Sequence, residues 1–178
     1  MADTPLPIRV SRAPVLTLWA TVVAERLGYP SETALTLGRF VAGSIARAKS
    51  RRLDISDEKQ DSEERHARAA ELKPRRQTVH LLGRDIPVVA AGNSTLRAED
   101  DGNRRRPRAC SPTSRGRSGS GADTREAIAA LAASLPPDEL NRVGVRLCER
   151  FRPDVPEGAQ GWDAKGELRI ERIAGAAG

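Results

Sequence analysis

Residues 13–52 read APVLTLWATVVAERLGYPSETALTLGRFVAGSIARAKSRR, and their pattern predicts two helices joined by a tight turn. Pro14 suits the first turn of a helix, where an amide hydrogen would have no intrahelical acceptor. Val15, Leu18, Trp19, Val22 and Val23 recur at helical spacing, and Leu16, Ala20 and Leu27 widen the apolar stripe. Gly28 is placed to take the left-handed conformation that ends a helix, with Tyr29 offering the accompanying apolar contact. Pro30 then blocks continuation. Ser31 is a ready N-cap for the second helix, and Glu32 sits near the positive end of its dipole.

In that second helix Ala34, Gly38, Ala42 and Ala46 form one row beside Leu37, Val41 and Ile45. Small residues let another backbone approach closely. Gly38 costs about 1 kcal/mol of helix propensity relative to Ala, which close packing offsets. Ala34, Gly38 and Ala42 are thus the candidate face for a protein partner or a second copy. The helix ends in Arg47, Lys49, Arg51 and Arg52, whose charges suit the negative dipole end and make candidate nucleic-acid contacts. The short turn implies antiparallel helices. Two other readings fit the stretch: a helix-turn-helix facing DNA with Thr36, Arg39 and Arg47, and a signal peptide led by Arg9 and Arg12. Basic helix ends are common on solvated faces, Asp3 opposes a signal, and the amphipathic pattern runs on past any cleavage point. A core-forming pair explains more.

The chain has 178 residues, enough for one ordinary domain, but aromatics make up only 3% and the aliphatic stretches are localised. The net charge of +6 is uneven: residues 92–121 hold 7 basic and 3 acidic side chains, residues 122–178 hold 8 and 10. That weakens any inference from net charge to a nucleic-acid-binding fold. Cys110 and Cys148 lack paired or metal-type spacing, so a reducing cytoplasm is the simplest compartment. The apolar run around Trp19 is shorter than the roughly 20 residues that span a bilayer.

Residues 1–10 read as an arm from which Ile8 and Val10 can dock. Residues 53–72 are polar, and the Asp61–Arg65 and Glu64–Arg68 pairs allow an exposed helix or a linker. A β-hairpin follows: residues 78–82 and 85–89 flank Gly83-Arg84, which suits a type II′ turn. Pro87 cannot donate to a ladder, which predicts an edge position for the second strand. A lone hairpin is marginal, so it must pack on the helices.

Residues 92–121, GNSTLRAEDDGNRRRPRACSPTSRGRSGSG, contain one large aliphatic side chain, Leu96, and cannot bury a core. They read as a disordered linker, or as a basic arm in which Arg104, Arg105 and Arg106 grip nucleic acid. Arg, Pro, Gly, Ser and Ala are also what GC-rich codons yield in a wrong frame. An out-of-frame segment accounts for the stretch as well as a linker does.

Patterned sequence resumes at Asp123. Asp123-Thr124-Arg125-Glu126 resembles a capping box, and Ala127, Ile128, Leu131 and Leu135 make an apolar stripe. After Pro136-Pro137, Leu140, Val143, Gly144, Leu147, Cys148 and Phe151 define an amphipathic helix on which Cys148 is a core residue. Residues 151–162 form an extended connector whose Trp162 docks on the core. Leu168, Ile170 and Ile173 read as a final helix.

SRAPVLTLWATVVAERLGY, VHLLGRDIPV and FRPDVPEGAQGWDAKGEL resemble segments of a family of small, uncharacterised, mostly helical bacterial proteins. The resemblance covers the helical pair, residues 77–90 and residues 124–173. Across 92–121 such proteins have another helical segment. The family carries no established activity, so no site residue follows from it.

The expected fold is α+β and predominantly α-helical: an antiparallel helix pair, one β-hairpin, C-terminal helices and a disordered centre. Its segments are 1–91, 92–121 and 122–178. His66 and His80 lack ligands at metal spacing, and no GxSxG, P-loop or GxGxxG occurs, so no catalytic residue, metal, cofactor or small-molecule substrate is implied. A non-catalytic interaction or self-association module leads, using the small-residue face or the hairpin edge. A nucleic-acid-associated protein comes second and an enzyme third. If 92–121 is a frameshift product, an alternative frame of the coding DNA across codons 90–123 is open and encodes helix-period apolar residues. Stop codons in both other frames exclude it.

Overall fold

The computed structural model describes residues 7–52, 77–91, 95–99, 120–158 and 164–177. The element order is β1 (Ile8–Ser11), α1 (Arg12–Arg26), α2 (Ser31–Arg52), β2 (Gln77–Leu81), β3 (Arg84–Ala90), β4 (Leu96–Ala98), α3 (Ser120–Ala133), α4 (Pro137–Phe151), β5 (Lys165–Leu168) and α5 (Ile170–Ala174), closed by a 3-10 turn (Gly175–Ala177). This is the α+β, mainly helical architecture expected from the sequence. The proposed helix or linker at 53–72, residues 92–94 and 100–119 of the low-complexity stretch 92–121, and Trp162 lie outside the described residues.

Helix α1 is central because it is buried nearly all round. Val15 and every residue from Trp19 to Ala24 are shielded, and α2, α3, α4 and β1 pack against it. It ends as the sequence implies. Gly28 adopts φ +92°, its N–H donates to Glu25 O (3.0 Å), and the Tyr29 N–H donates to Ala24 O (3.2 Å). These are the two bonds of a Schellman motif. The Ala34 N–H donates to Pro30 O at 2.8 Å, so Pro30 takes the N-cap position and Ser31 is the first helical residue rather than the cap.

Ala34, Gly38 and Ala42 are buried, and they form the seam between α1 and α2. A Cβ on Gly38 would lie 2.8 Å from Thr17 O and 3.0 Å from Thr21 N, with the Thr21 hydroxyl closer still. The expectation that this row faces a partner is therefore corrected. A stripe of small residues reports a close approach but not which helix approaches.

Strands β2, β3 and β4 form an antiparallel sheet in that order, with Val79, Leu81, Ile86 and Val88 alternating into the core. The hairpin turn is centred one residue earlier than predicted, on Leu82-Gly83. Both have positive φ (52° and 71°), the mark of a type I′ turn rather than II′. A leucine in the left-handed region costs about 1–2 kcal/mol. Burial offsets it: Leu82 is 2% exposed and packs over Gly144, and its N–H donates to Asn141 Oδ1 at 2.6 Å.

Pro87 does not place β3 at an edge; β3 is the middle strand. The register puts Pro87 opposite Glu99, one position beyond the last paired residue of β4. The Glu99 N–H donates to Pro87 O at 2.8 Å, and the return bond that proline cannot make falls where the ladder stops. Strand β4 itself lies in the stretch read as a linker. Its two amides facing away from β3 are both satisfied by α2: Leu96 N–H donates to Thr33 Oγ1 (3.1 Å) and Ala98 N–H to Thr36 Oγ1 (3.3 Å).

Within the N-terminal arm Ile8–Ser11 form β1, which pairs antiparallel with β5, Ile8 opposite Leu168 and Val10 opposite Gly166. The expected final helix is split accordingly: Leu168 belongs to β5, and α5 begins at Ile170. A Cβ on Gly166 would lie 2.6 Å from Asp154 O, which explains the glycine where Asp154 bridges Glu167. Helix α3 starts at Ser120, so Asp123 lies in its first turn and does not cap it, though its charge still suits the dipole. Helix α4 starts with Pro137 in its first turn and buries Leu140, Gly144, Leu147, Cys148 and Phe151, the predicted stripe.

Two glycines of α2 give opposite expectations. Gly38→Ala forces Cβ into the α1 backbone and lowers stability by about 1–3 kcal/mol, despite better helix propensity. Gly43→Ala meets only the Arg47 side chain, at 3.5 Å, and gains up to about 1 kcal/mol. Urea unfolding of both variants reads the two signs.

Candidate functional site

Helix α2 has a second face. Glu32, Leu35, Thr36 and Arg39 fall at i, i+3, i+4 and i+7, turned away from the Ala34–Gly38–Ala42 seam. Leu35 is 39% exposed, the one exposed large hydrophobic among the described residues. It is a ridge between two depressions. Toward the sheet lies a hollow of about 280 Å³, lined by Glu32, Thr36, Ala91, Leu96 and Arg97. Toward α1 and α3 lies a groove of about 470 Å³, lined by Pro14, Thr17, Leu18, Thr21, Arg39 and Arg125.

The hydroxyls around Leu35 are already engaged. Thr17 Oγ1 donates to Ala13 O (2.9 Å), Thr21 Oγ1 to Thr17 O (2.8 Å) and Thr36 Oγ1 to Thr33 O (2.8 Å), the last also accepting from β4. The polarity of the surface therefore comes mainly from charges. Arg125 is held by Glu25 at 3.3 Å. Arg39 and Arg97 are exposed and have no ion-pair partner among the described residues. The face is an apolar ridge flanked by guanidinium groups, with Glu32 as the opposing charge.

The sequence-predicted residues fall elsewhere. Arg47 is exposed near the end of α2, its guanidinium carbon 6.0 Å from the Phe40 ring centroid. Lys49, Arg51 and Arg52 continue the same helix, but their side chains lie outside the described residues, as do Arg104, Arg105 and Arg106 entirely. The sequence pattern does not single out Leu35, because the apolar stripe of α2 runs through Ala34, Leu37 and Val41. An aliphatic residue standing off that stripe, one turn from both Glu32 and Arg39, was the available signal.

No catalytic constellation converges on either depression. His80 Nδ1 and Asp85 Oδ1 lie 2.8 Å apart across the hairpin, 60% and 75% exposed, and neither lines a depression. Among the described residues no group of three His, Cys, Asp or Glu side chains is arranged to hold a metal ion, and no helix is long and apolar enough to cross a membrane. Burial pushes the Cys148 thiol up to about 12, with Glu149 adding to the shift and Arg152 opposing it. It is a neutral core group.

In a Cys110→Ser background, native Cys148 resists iodoacetamide at pH 8 and reacts once the chain is unfolded in guanidinium. Because the folded thiol keeps its proton from the ordinary 9.0 up to about 12 and the unfolded one does not, stability falls as pH rises through that window. Fast alkylation of the native protein contradicts the buried assignment.

Comparison with protein-family models, curated proteins and solved structures gives no match, so none of these residues receives a role from a relative.

Proposed function

We propose that the protein is a non-catalytic interaction module of the bacterial cytoplasm, and that it docks through the face around Leu35 rather than through the small-residue row. The exposed Leu35 ridge between two depressions carries this reading. An apolar side chain held out from a helix gains on burial by a partner, whereas the His, Cys and carboxylate groups among the described residues form no reactive set. Leu35 is 39% exposed, so covering what remains contributes roughly 0.6–1.2 kcal/mol, about two-fifths of the 1.5–3 kcal/mol for burying a whole leucine. The second reading, nucleic-acid binding, is favoured by the unbroken run of α2 to Arg52, which carries Arg47, Lys49, Arg51 and Arg52 on its last turns.

Leu35→Lys tests the first reading, since a half-exposed position tolerates the change. Circular dichroism is expected to match wild type. Self-association in the ultracentrifuge, or affinity for a partner reconstituted from purified components, is expected to weaken about tenfold or more. Unchanged association removes Leu35 from the interface. Association that instead drops steeply with salt and on neutralising Lys49, Arg51 and Arg52 favours the nucleic-acid reading.

A further inference from the structure

We infer that the Leu35 face takes an acidic polypeptide segment that also carries large apolar side chains; this rests on the interaction reading above and names its partner. Two observations fix the chemistry. The first is charge. Arg39 borders the larger groove and Arg97 the smaller hollow, both without an ion-pair partner among the described residues, while Arg125 is shared with Glu25. Guanidinium groups only donate, and the threonine hydroxyls between them already serve backbone groups of the chain itself. Glu32 lines the hollow beside Arg97 but makes no ion pair with either arginine among the described residues. A partner that displaces water from the guanidinium groups therefore supplies their acceptors, and carboxylates meet them in a bidentate fork.

The second observation is shape. Leu35 and Arg39 stand one helical turn apart on one face, so a single segment engages both. The depressions of about 280 and 470 Å³ on either side of Leu35 give side-chain room across the ridge. A polynucleotide uses this surface poorly. Its phosphates would meet the arginines, but Leu35 would gain nothing, and neither depression is lined by an aromatic ring on which a base could stack. An acidic, apolar polypeptide satisfies both the guanidinium groups and the leucine.

The experiment uses the full chain and three fluorescent probes: a short amphipathic peptide of Glu and Leu, the same peptide with Lys for Glu, and a short DNA duplex. Anisotropy titrations are run on wild type, Leu35→Ser, Arg39→Glu and Arg97→Glu, each checked by circular dichroism. The Glu/Leu peptide is expected to bind wild type and to bind each variant about tenfold more weakly, with the Lys/Leu peptide not binding. Equal binding of the two peptides, with Leu35→Ser still weakening both, overturns the acidic partner and leaves the interaction face standing. Binding that ignores Leu35→Ser overturns both. DNA that outbinds the Glu/Leu peptide and depends on Arg39 but not on Leu35 makes the face a polyanion site and overturns the inference.

Discussion

The indole N–H of Trp19 donates to the carbonyl oxygen of Gly144 at 2.8 Å, in a fully buried place, and the rest of the packing depends on that contact. An indole nitrogen can only donate, so burying it without an acceptor would cost about 1–3 kcal/mol. The carbonyl has a second lone pair and can serve the indole without leaving its own helix. The missing side chain at Gly144 makes room for Leu82, whose Cδ2 occupies the space a Cβ would need, while the Trp19 ring lies at ordinary contact distance, 3.6 Å from that position. Seven residues on, Phe151 meets the same indole edge-on, 5.4 Å between centroids at 77°. Two points of attachment set both the height and the rotation of α4 against α1.

From that placement the sheet follows. With α4 fixed, Asn141 lies one turn before Gly144 and reaches the hairpin tip, accepting from Leu82 N–H and donating to His80 O at 3.2 Å. The far side of the sheet is held by α2, whose Thr33 and Thr36 hydroxyls take the two outward amides of β4. An open strand edge is a template for unwanted pairing, and here side chains occupy it. The clamp also turns Thr36 toward the sheet and leaves its neighbours Leu35 and Arg39 facing outward. The candidate face is thus a by-product of how α2 serves α1 on one side and β4 on another.

Much of this was legible in the sequence, and what was not has a common cause. Gly28 and Pro30 mark the α1–α2 turn because only local backbone chemistry is involved. The stripe from Leu140 to Phe151 marks α4 because helical periodicity is local too. Strands β1, β4 and β5 have three or four residues each, and their partners or clamps are far away in the chain: Ile8 pairs with Leu168, and Leu96 bonds Thr33. Nothing within such short segments announces a pairing. The turn moved to Leu82-Gly83 for a similar reason. A leucine with positive φ is locally unfavourable, and only the distant Gly144 and Asn141 make it tolerable. The site suffered most, since the row around Gly38 signals close packing without saying whether the neighbour is internal.

Charge shows the same contrast between chain and surface. A net charge of +6 suggests a polyanion partner, but charge acts over roughly 8 Å at physiological ionic strength. What a partner meets is therefore the local arrangement. Arg125 is paired with Glu25, Arg142 with Glu139, Arg169 with Glu167 and Arg172 with Asp154, each on its own patch. Exposed pairs of this kind contribute little to stability, commonly 0–1 kcal/mol, yet they cancel one another's field at short range. Arg39 and Arg97 are not cancelled in this way, and both stand beside an exposed leucine. Two guanidinium groups without ion pairs and an apolar side chain coincide there, and that coincidence, more than the total charge, favours a partner that is acidic and greasy at once.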